Sequence, residues 1–305
     1  MMTSTNPCVL VYDVGGSHVS AAVCQAGDYQ IGPVARASHP AQQTSEAFLD
    51  VLAGLAAQVT GGTGSVLGAS VAMPGPFDYA AGVSWMRHKL PYLYGFDLRQ
   101  ALADRLGWQP GQVRFLNDAA AYLLGEVGAG AARGATRAVG ITLGTGIGSA
   151  FAVDGRIVTE GPGVPPGGEI WNLPYEGGIV EDQLSSKAIR QSYEQRTEQQ
   201  QEVAAIAKAA AAEPAAAEVF AEFGRRLGRA LKVLLLPFAP DVVVLGGGIS
   251  RSAALFLPFA EEELAGLNLQ LRVSALGDSA PLVGAGVAWF ADPMVPAETR
   301  TAATR

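Results

Sequence analysis

The chain is poor in the residues that build disulfide frameworks, metal clusters and nucleic-acid-binding surfaces. It has two cysteines and three histidines among 305 residues. Cys8 and Cys24 both stand in apolar runs, which favours buried thiols over a disulfide framework or a four-ligand metal site. Charged residues make up 16% of the chain, its formal net charge is −7, and it has no basic run. We therefore expect no nucleic-acid partner.

The sequence also lacks an apolar run long enough to cross a membrane. Its longest uncharged stretch, residues 51–77, is interrupted by a glycine-rich segment at 60–65 and then by Pro74 and Pro76. The first cationic residue is Arg36, so the beginning of the sequence lacks the positive segment of a secretory signal. We expect a cytoplasmic protein that makes no membrane contact.

The order of the predicted elements is typical of an α/β protein with two domains. At 305 residues the chain has room for two domains of about 100–200 residues each. Strands, glycine turns and amphipathic helices alternate along it. Residues 8–24 and 138–153 share one pattern, two β-rich runs on either side of a glycine turn. This short internal repeat suggests two related halves.

Periodicity and capping residues predict the principal elements. Asp97 is predicted to cap a helix, and Pro214 is predicted to divide a helical segment that begins at Glu194. The last helix is predicted to pack near the first half of the chain. The predicted helices are 45–59, 97–106, 119–127, 215–236 and 282–290, and the predicted single strands are 66–73, 113–117 and 242–245.

Three glycine turns are candidates for phosphate binding. Asp13 ends a buried strand and opens the turn Gly15-Gly16-Ser17, where amides can face a phosphate without a side-chain clash. Gly144-Thr145-Gly146 is a second turn of this kind, and Gly246-Gly247-Gly248 follows an apolar strand. The alternatives are ordinary hairpin turns for the first two and packing room for the third. Neither the dinucleotide fingerprint nor the eight-residue phosphate loop with Gly-Lys-Ser/Thr occurs.

Several polar residues near strand ends and glycine-rich loops are candidates for acid–base chemistry or sugar binding. Asn117-Asp118 ends a strand and leads a helix, although Asp118 in that place could simply be a helix cap. Glu169 and Glu181 lie near a Gly/Pro-rich segment and enclose Trp171 and Tyr175. Carboxylates beside aromatic rings suit a sugar, because they accept its hydroxyls while the rings cover its apolar face. Alternatively, both glutamates are surface charges.

In this order the segments resemble the ROK family of sugar kinases and repressors, within the actin/hexokinase/Hsp70-type ATPase superfamily. The resemblance covers nearly the whole chain. The motifs that carry it are Asp13-Val-Gly-Gly-Ser17, Ala72-Met-Pro-Gly-Pro76, Asn117-Asp118 with Glu126, Thr142-Leu-Gly-Thr-Gly-Ile-Gly148 with Asp154-Gly155, Gly168-Glu169-Ile170, and Val244-Leu-Gly-Gly-Gly-Ile-Ser250.

The resemblance implies an α/β fold with two related domains of the actin-like ATPase (ribonuclease H-like) type and an interdomain cleft. The N-terminal domain would span 1–115 and be joined by a C-terminal helix at about 283–305, and the C-terminal domain would span 116–282. The implied activity is ATP-dependent phosphorylation of a hexose, with glucose converted to glucose 6-phosphate. The implied cofactors are ATP and Mg²⁺, and a homodimer is the expected assembly.

The resemblance also assigns roles residue by residue. Asp118 would be the general base that takes the proton from the attacking sugar hydroxyl, and Asp13 would hold magnesium through water. The residues implied to bind ATP and its phosphates are Asp13, Gly15, Gly16, Ser17, Gly144, Thr145, Gly146, Gly246, Gly247 and Gly248. The residues implied to bind the sugar are Asn117, Glu169, Asn172 and Glu181.

The chain departs from the family pattern at its zinc motif. Many members follow Gly-Glu-x-Gly with a histidine and then a cysteine cluster, whereas here Trp171 and Asn172 follow Ile170 and no cysteine occurs in 177–181. We therefore expect no zinc site, since the ligands are missing. Glu181 still matches the glutamate that follows the cluster, and Asn172 can bond a sugar hydroxyl without metal. The departure leaves the substrate preference open.

Two other functions compete with hexose kinase. A sugar-responsive repressor would need a DNA-binding module of about 60–80 residues, and only twelve residues precede Asp13, so we do not expect one. A catalytically silent sugar-binding protein is suggested by the missing zinc motif, but Asp13, Asp118 and both glycine hairpins argue against it. Other hexoses that remain open as substrates are N-acetylmannosamine, N-acetylglucosamine and fructose.

Overall fold

The computed structural model describes residues 6–40, 42–61 and 66–291. The chain divides into two compact units, the first made of Met1–Ala129 with Ser279–Arg305 and the second of Gly130–Asp278. The sequence placed the first boundary after residue 115, whereas this division follows Ala129. The difference arises because the helix that begins at Asp118 packs within the first unit.

The first unit contains a five-stranded sheet in the order β3-β2-β1-β4-β7. β1 and β2 form an antiparallel hairpin, while β1, β4 and β7 run parallel. The strands are β1 (Cys8–Val14), β2 (His18–Gln25), β3 (Ala35–Ser38), β4 (Ala69–Met73), β5 (Phe77–Asp78), β6 (Val83–Ser84) and β7 (Val113–Asn117), and β5 and β6 form a separate small hairpin.

Three helices alternate with these strands, and capping side chains explain where two of them begin. They are α1 (Ser45–Thr60), α2 (Leu98–Leu106) and α3 (Asp118–Ala129). The Thr44 hydroxyl accepts a hydrogen bond from the Ala47 amide at 3.2 Å, and the Asp97 carboxylate accepts one from the Gln100 amide at 3.0 Å. Asp97 is therefore a helix cap, as predicted.

The second unit repeats this sheet with the same order and the same strand directions. Its order is β10-β9-β8-β13-β14, in which β8 pairs antiparallel with β9 and parallel with β13. The strands are β8 (Arg137–Leu143), β9 (Ile147–Val153), β10 (Arg156–Val158), β11 (Pro174–Tyr175), β12 (Gly178–Ile179), β13 (Val242–Gly246) and β14 (Gln270–Val273). The two glycine hairpins thus occupy equivalent positions, which accounts for the internal repeat seen in the sequence.

The helices of the second unit cover its sheet around an apolar core. They are α4 (Val180–Leu184), α5 (Ser186–Thr197), α6 (Val203–Ala209), α7 (Pro214–Leu235) and α8 (Ala253–Glu263). Pro214 opens α7, where its missing N–H costs nothing. The chain also leaves the helix at Glu198, whose φ is +59°, so the region has one break more than the sequence predicts.

The last helix, α9 (Ala280–Ala291), packs in the first unit against α3 and against β1. Glycines permit the close approach of α3 and α9. A Cβ added at Gly284 would lie 1.7 Å from the carbonyl oxygen of Ala121, and one added at Gly125 would lie 2.1 Å from that of Ala280. Of the predicted carboxy-terminal segment 283–305, residues 292–305 lie outside the described residues. In the part of the chain that the structure describes, no helix has both the length and the apolar character of a membrane span.

Candidate active site

Parallel strands bring the predicted carboxylates of the first unit to one edge of its sheet. In the register of β1, β4 and β7, Asp13 pairs with Ala72 and Met73 pairs with Asn117. Asp13 and Asn117-Asp118 therefore leave the sheet at the same end, on the two strands that flank β4. Ligands of α/β sheets bind outside the carboxyl ends of the strands, which makes this edge the place to look for chemistry.

Asp118 is held by its neighbours through one carboxylate oxygen. Oδ1 accepts hydrogen bonds from the Ala119 amide at 2.9 Å and from Asn117 Nδ2 at 3.1 Å. Throughout residues 6–40, 42–61 and 66–291, Oδ2 receives no hydrogen bond, and the side chain is partly exposed. A fixed carboxylate with one oxygen available to a hydroxyl proton has the geometry that a general base needs.

Asn117, rather than Asp118, caps α3. Its Oδ1 accepts a hydrogen bond from the Ala120 amide at 3.0 Å, so the helix begins without using the Asp118 carboxylate as its cap. The Asn117 Nδ2 donates to Asp118 and, at 3.2 Å, to the hydroxyl of Tyr79, which in turn donates to the Met73 carbonyl at 3.2 Å. Both amide protons of Asn117 therefore form hydrogen bonds within the first unit. The bond to Tyr79 holds the Asn117 side chain, and the other bond orients the Asp118 carboxylate.

The first glycine hairpin is a tight turn fixed by a histidine. The Gly15 amide donates to the His18 carbonyl at 3.0 Å, and Gly16 and Ser17 are exposed at its tip. The His39 amide donates to the Ser17 carbonyl at 3.2 Å, and its Nε2 lies 2.8 Å from the Gly15 carbonyl oxygen. Since a carbonyl only accepts, Nε2 carries the proton.

The ring of His39 is itself held from two sides. Its Nδ1 lies 3.3 Å from the Tyr92 hydroxyl, and its ring stacks on Phe48 with centroids 5.9 Å apart. Nδ1 and the Tyr92 hydroxyl form the second hydrogen bond of the ring. Sequence reasoning missed His39 and Tyr79, because nothing in their local sequence marks partners that lie 24 and 38 residues away.

The second glycine hairpin is fixed by a glutamate. The Gly144 amide donates to the Gly146 carbonyl at 3.0 Å, and Glu181 Oε2 accepts a hydrogen bond from the Ile147 amide at 3.1 Å. A Cβ at Gly146 would lie 2.5 Å from that same Oε2, so a side chain there would displace the Glu181 carboxylate. The structure thus brings Glu181, a predicted sugar ligand, against the turn predicted to bind phosphate.

Glu169 is positioned by a buried serine and by the adjacent tryptophan. Ser149 Oγ donates to the Gly168 carbonyl at 2.7 Å and accepts from the Ile170 amide at 3.0 Å, which fixes the backbone on both sides of Glu169. Glu169 Oε2 accepts a hydrogen bond from Trp171 Nε1 at 2.8 Å. Asn172 follows at an exposed position. Sequence reasoning did not single out Ser149.

The third glycine turn combines packing with exposure. Gly247 has φ +80°, and a Cβ there would lie 2.4 Å from the Leu143 carbonyl oxygen, so close packing of β13 on β8 requires this glycine. Gly246 is buried, whereas Gly248 is exposed, and a Cβ added at Gly248 would have no heavy atom of the described chain within 4 Å. Packing therefore explains Gly247, and Gly248 is left as the member of the turn with room for a ligand.

A comparison with protein families shows to which family the chain belongs. The model of the ROK family matches residues 9–292. The chain belongs to the ROK family.

Relatives of this ROK protein include named sugar kinases. It is 30% identical over 217 residues to a glucokinase of Thermotoga maritima, a match that covers 63% of this chain and 67% of the relative. It is 28% identical over 199 residues to a polyphosphate glucokinase of Mycobacterium tuberculosis, covering 65% of this chain and 61% of the relative. The matched segments therefore span about two thirds of these relatives' own lengths or less.

Solved structures match over more of the chain. A ROK hexokinase from Thermus thermophilus superposes with a TM-score of 0.76 at 26% identity, covering 92% of this chain and 97% of that one. A ROK family glucokinase from Streptomyces griseus, in complex with glucose and AMPPNP, superposes with a TM-score of 0.75 at 24% identity over 91% of this chain and 97% of that one. These likenesses confirm the α/β fold predicted from the sequence.

The donor set of this ROK protein suits magnesium bound through phosphate and water. Among the described residues, no group of three or more His, Cys, Asp or Glu side chains could enclose a metal ion. Magnesium is commonly held by one or two carboxylates together with substrate phosphates and water, so it does not need such a group. Asp13, partly buried beside the first glycine hairpin, is a carboxylate of this kind.

Proposed function

We propose that this ROK protein transfers the γ-phosphoryl group of ATP to a hydroxyl group of a hexose, and that glucose is converted to glucose 6-phosphate. Membership of the family and the named relatives make it a sugar kinase; the glucose preference and the residue roles are the proposal. The observation that carries it is the Asp118 carboxylate, with Oδ1 fixed by two donors and Oδ2 left for a substrate proton.

In the proposed reaction, Asp118 Oδ2 accepts the proton of the sugar 6-hydroxyl as that oxygen attacks the γ-phosphorus. The bond from the γ-phosphorus to the β,γ-bridging oxygen breaks, and ADP leaves with the electron pair of that bond. Asn117 maintains the direction of the base through its Nδ2. Phosphoryl transfer depends mainly on positioning and on charge stabilisation, so a fixed base and fixed phosphate turns are the parts that the protein must supply.

The phosphate-binding groups of the proposal are the two hairpins and Asp13. Gly16, Ser17 and Thr145 are exposed, and their amides would donate to phosphate oxygens. Magnesium would be held by Asp13 through water, and when bound it neutralises the negative charge of the phosphates. Gly248 would lie along the adenosine.

The sugar-binding groups of the proposal are Glu169, Asn172, Glu181 and the remaining acceptor capacity of Asn117. Glu169 and Glu181 each have one oxygen tied to the protein, at Trp171 Nε1 and the Ile147 amide respectively. Each therefore keeps a second oxygen to accept a sugar hydroxyl. Asn172 is exposed and offers both a donor and an acceptor.

The test is ADP release with MgATP across glucose, mannose, fructose, N-acetylglucosamine and N-acetylmannosamine. Glucose should give the highest kcat/KM, and Asp118→Asn should lower kcat by about 10²–10⁴-fold, as for loss of a general base. Asp104→Asn, the same change at an exposed position of α2, is the matched control and should retain full activity.

Three outcomes would contradict the proposal. Sugar binding by calorimetry without turnover of any sugar would favour the silent binder. Faster turnover of an N-acetylated sugar or fructose would overturn the glucose preference. Full activity of Asp118→Asn would remove the assigned base.

A further inference from the structure

Trp171 lies between the two glutamates of the proposed sugar site and is bonded to both. Its indole Nε1 donates to Glu169 Oε2 at 2.8 Å, and its carbonyl oxygen accepts a hydrogen bond from the Glu181 amide at 3.0 Å. A single residue therefore links the side chain of one carboxylate to the backbone of the other. No other residue between 169 and 181 contacts both in this way through hydrogen bonds of the described chain.

The backbone that leads into Trp171 is anchored in the core of the second unit. Ile170, the preceding residue, is fully buried, and its amide is bonded to the buried Ser149 hydroxyl. The Glu169–Trp171 bond joins residues two apart in the chain, and an N–H···carboxylate bond of 2.8 Å is in the charge-assisted range. Glu169 is thereby presented with Oε2 taken and Oε1 available.

The ring itself is available to a ligand. Trp171 is 39% exposed, one of few large apolar side chains of the described residues with so much accessible surface. A buried tryptophan usually satisfies its N–H with a partner, and here that N–H is satisfied while part of the ring stays open. A ring of this kind, directly beside a carboxylate that accepts hydroxyls, suits a molecule with hydroxyls on its rim and C–H groups on its face.

We propose that Trp171 is the specificity-determining residue of the sugar site, where its indole N–H positions Glu169 and its open ring packs on the C–H face of a hexopyranose. This inference rests on the proposed function for the identity of the site. Glucopyranose fits best, since its hydroxyls at C2, C3 and C4 are equatorial and leave axial C–H groups on the ring faces. Mannose has an axial hydroxyl at C2 that interrupts one face, and fructofuranose lacks the six-membered ring.

The experiment uses three variants of the full chain. Trp171→Phe retains a ring and loses the N–H donor, whereas Trp171→Ala loses both. Trp85→Phe is the matched control, because Trp85 is 48% exposed and is not among the residues assigned to the sugar. Thermal melting and circular dichroism of each variant establish that it is folded.

Kinetics should separate the two contributions of the ring. Trp171→Phe should raise the KM for glucose about threefold to tenfold, the range of one lost polar contact, and leave the KM for ATP unchanged. Trp171→Ala should raise the KM for glucose by about a further threefold to tenfold, and should bring the glucose-to-mannose ratio of kcat/KM toward one. A merely structural role would alter kcat or melting and leave that ratio unchanged.

A binding measurement makes the inference independent of turnover. Glucose titrated into the nucleotide-free protein should change the tryptophan fluorescence, and the change should vanish in Trp171→Phe and persist in Trp85→Phe. If the wild type turns over glucose while Trp171→Ala keeps its KM and sugar ratio, the inference is wrong and the kinase stands. If glucose changes the Trp171 fluorescence without turnover, the kinase is wrong and the inference stands. If glucose neither binds nor reacts, both are overturned.

Discussion

Substitution of Gly284 by alanine is expected to unfold the first unit at lower temperature and to disturb the proposed base. A Cβ there would lie 1.7 Å from the Ala121 carbonyl oxygen and 2.7 Å from the Gly125 nitrogen, both backbone atoms of α3. Real Cβ atoms essentially never approach another heavy atom within 3.0 Å, so α3 and α9 would have to separate by more than an ångström. Overpacking of a core costs about 1–3 kcal/mol and sometimes more. We expect about 3 kcal/mol here, because neither obstructing atom is a side chain that can rotate away.

The matched control is Gly54→Ala in α1. Gly54 is exposed in a helix interior, and no heavy atom lies within 4 Å of a Cβ added there. Alanine should therefore stabilise the protein by about 0.5–1 kcal/mol through its higher helix propensity. The same change from glycine to alanine is therefore predicted to destabilise the protein at position 284 and to stabilise it at position 54.

Thermal and urea denaturation check these signs. A loss of about 3 kcal/mol corresponds to a fall in Tm of about 6–12 °C for a unit of this size. Because α3 begins at Asp118, separation of α3 from α9 should also lower kcat in Gly284→Ala, and amide exchange should accelerate in both helices. A Gly284→Ala protein that melts within about 2 °C of the wild type would refute the close-packing argument.

Three further predictions concern the side chains behind the glycine hairpins and the buried thiol. His39→Ala should raise the KM for ATP about threefold to tenfold, because the bond to the Gly15 carbonyl is lost, and should leave the KM for sugar unchanged. The control His88→Ala changes an exposed histidine and should alter neither KM. Steady-state kinetics with ATP varied measures both variants. Gly146→Ala should weaken glucose binding in calorimetry, because its Cβ would meet Glu181 Oε2 at 2.5 Å, while Gly144→Ala, whose nearest atom is at 3.9 Å, should bind normally. Burial raises the pKa of Cys24 from 9.0 to about 12, so the thiol keeps its proton to higher pH in the folded state than in the unfolded chain. The free energy of unfolding should therefore fall as pH rises from about 9 to about 12. Urea titrations at these pH values should show a smaller fall for Cys24→Ala, and an equal fall would contradict the assignment.

The local pattern was sufficient for the parts of the site that depend on consecutive residues. The hairpin that carries Gly15 and the strand–helix junction at Asn117-Asp118 follow from alternation, glycine turns and capping, and the structure has both. Periodicity could not say which of Asn117 and Asp118 caps α3. That depends on which of two adjacent side chains, each a suitable cap, reaches the Ala120 amide.

Contacts between distant segments could not be predicted from the sequence. His39 reaches Gly15 across 24 residues and Tyr92 reaches His39 across 53, and neither pair shares a periodic pattern. The division of the two units after Ala129 likewise depends on contacts between distant segments. Gly284 looks like any helical glycine until α9 is seen to pack on α3, and that packing, together with contacts of α3 to β4 and β7, keeps residues 118–129 with the first unit.

The two units use one strand order to support different chemistry behind equivalent turns. In the first unit a histidine donates to the carbonyl of the glycine hairpin, whereas in the second a carboxylate accepts from an amide at the end of the hairpin turn. A histidine bonded to the carbonyl occupies none of the turn amides and adds no negative charge beside them. Glu181 adds such a charge, so the proposed roles require that the exposed Thr145 faces the phosphate and that Glu181 faces the sugar hydroxyls. The same scaffold thus explains why His39 should affect nucleotide binding alone, while a change at Gly146 should first be felt by the sugar.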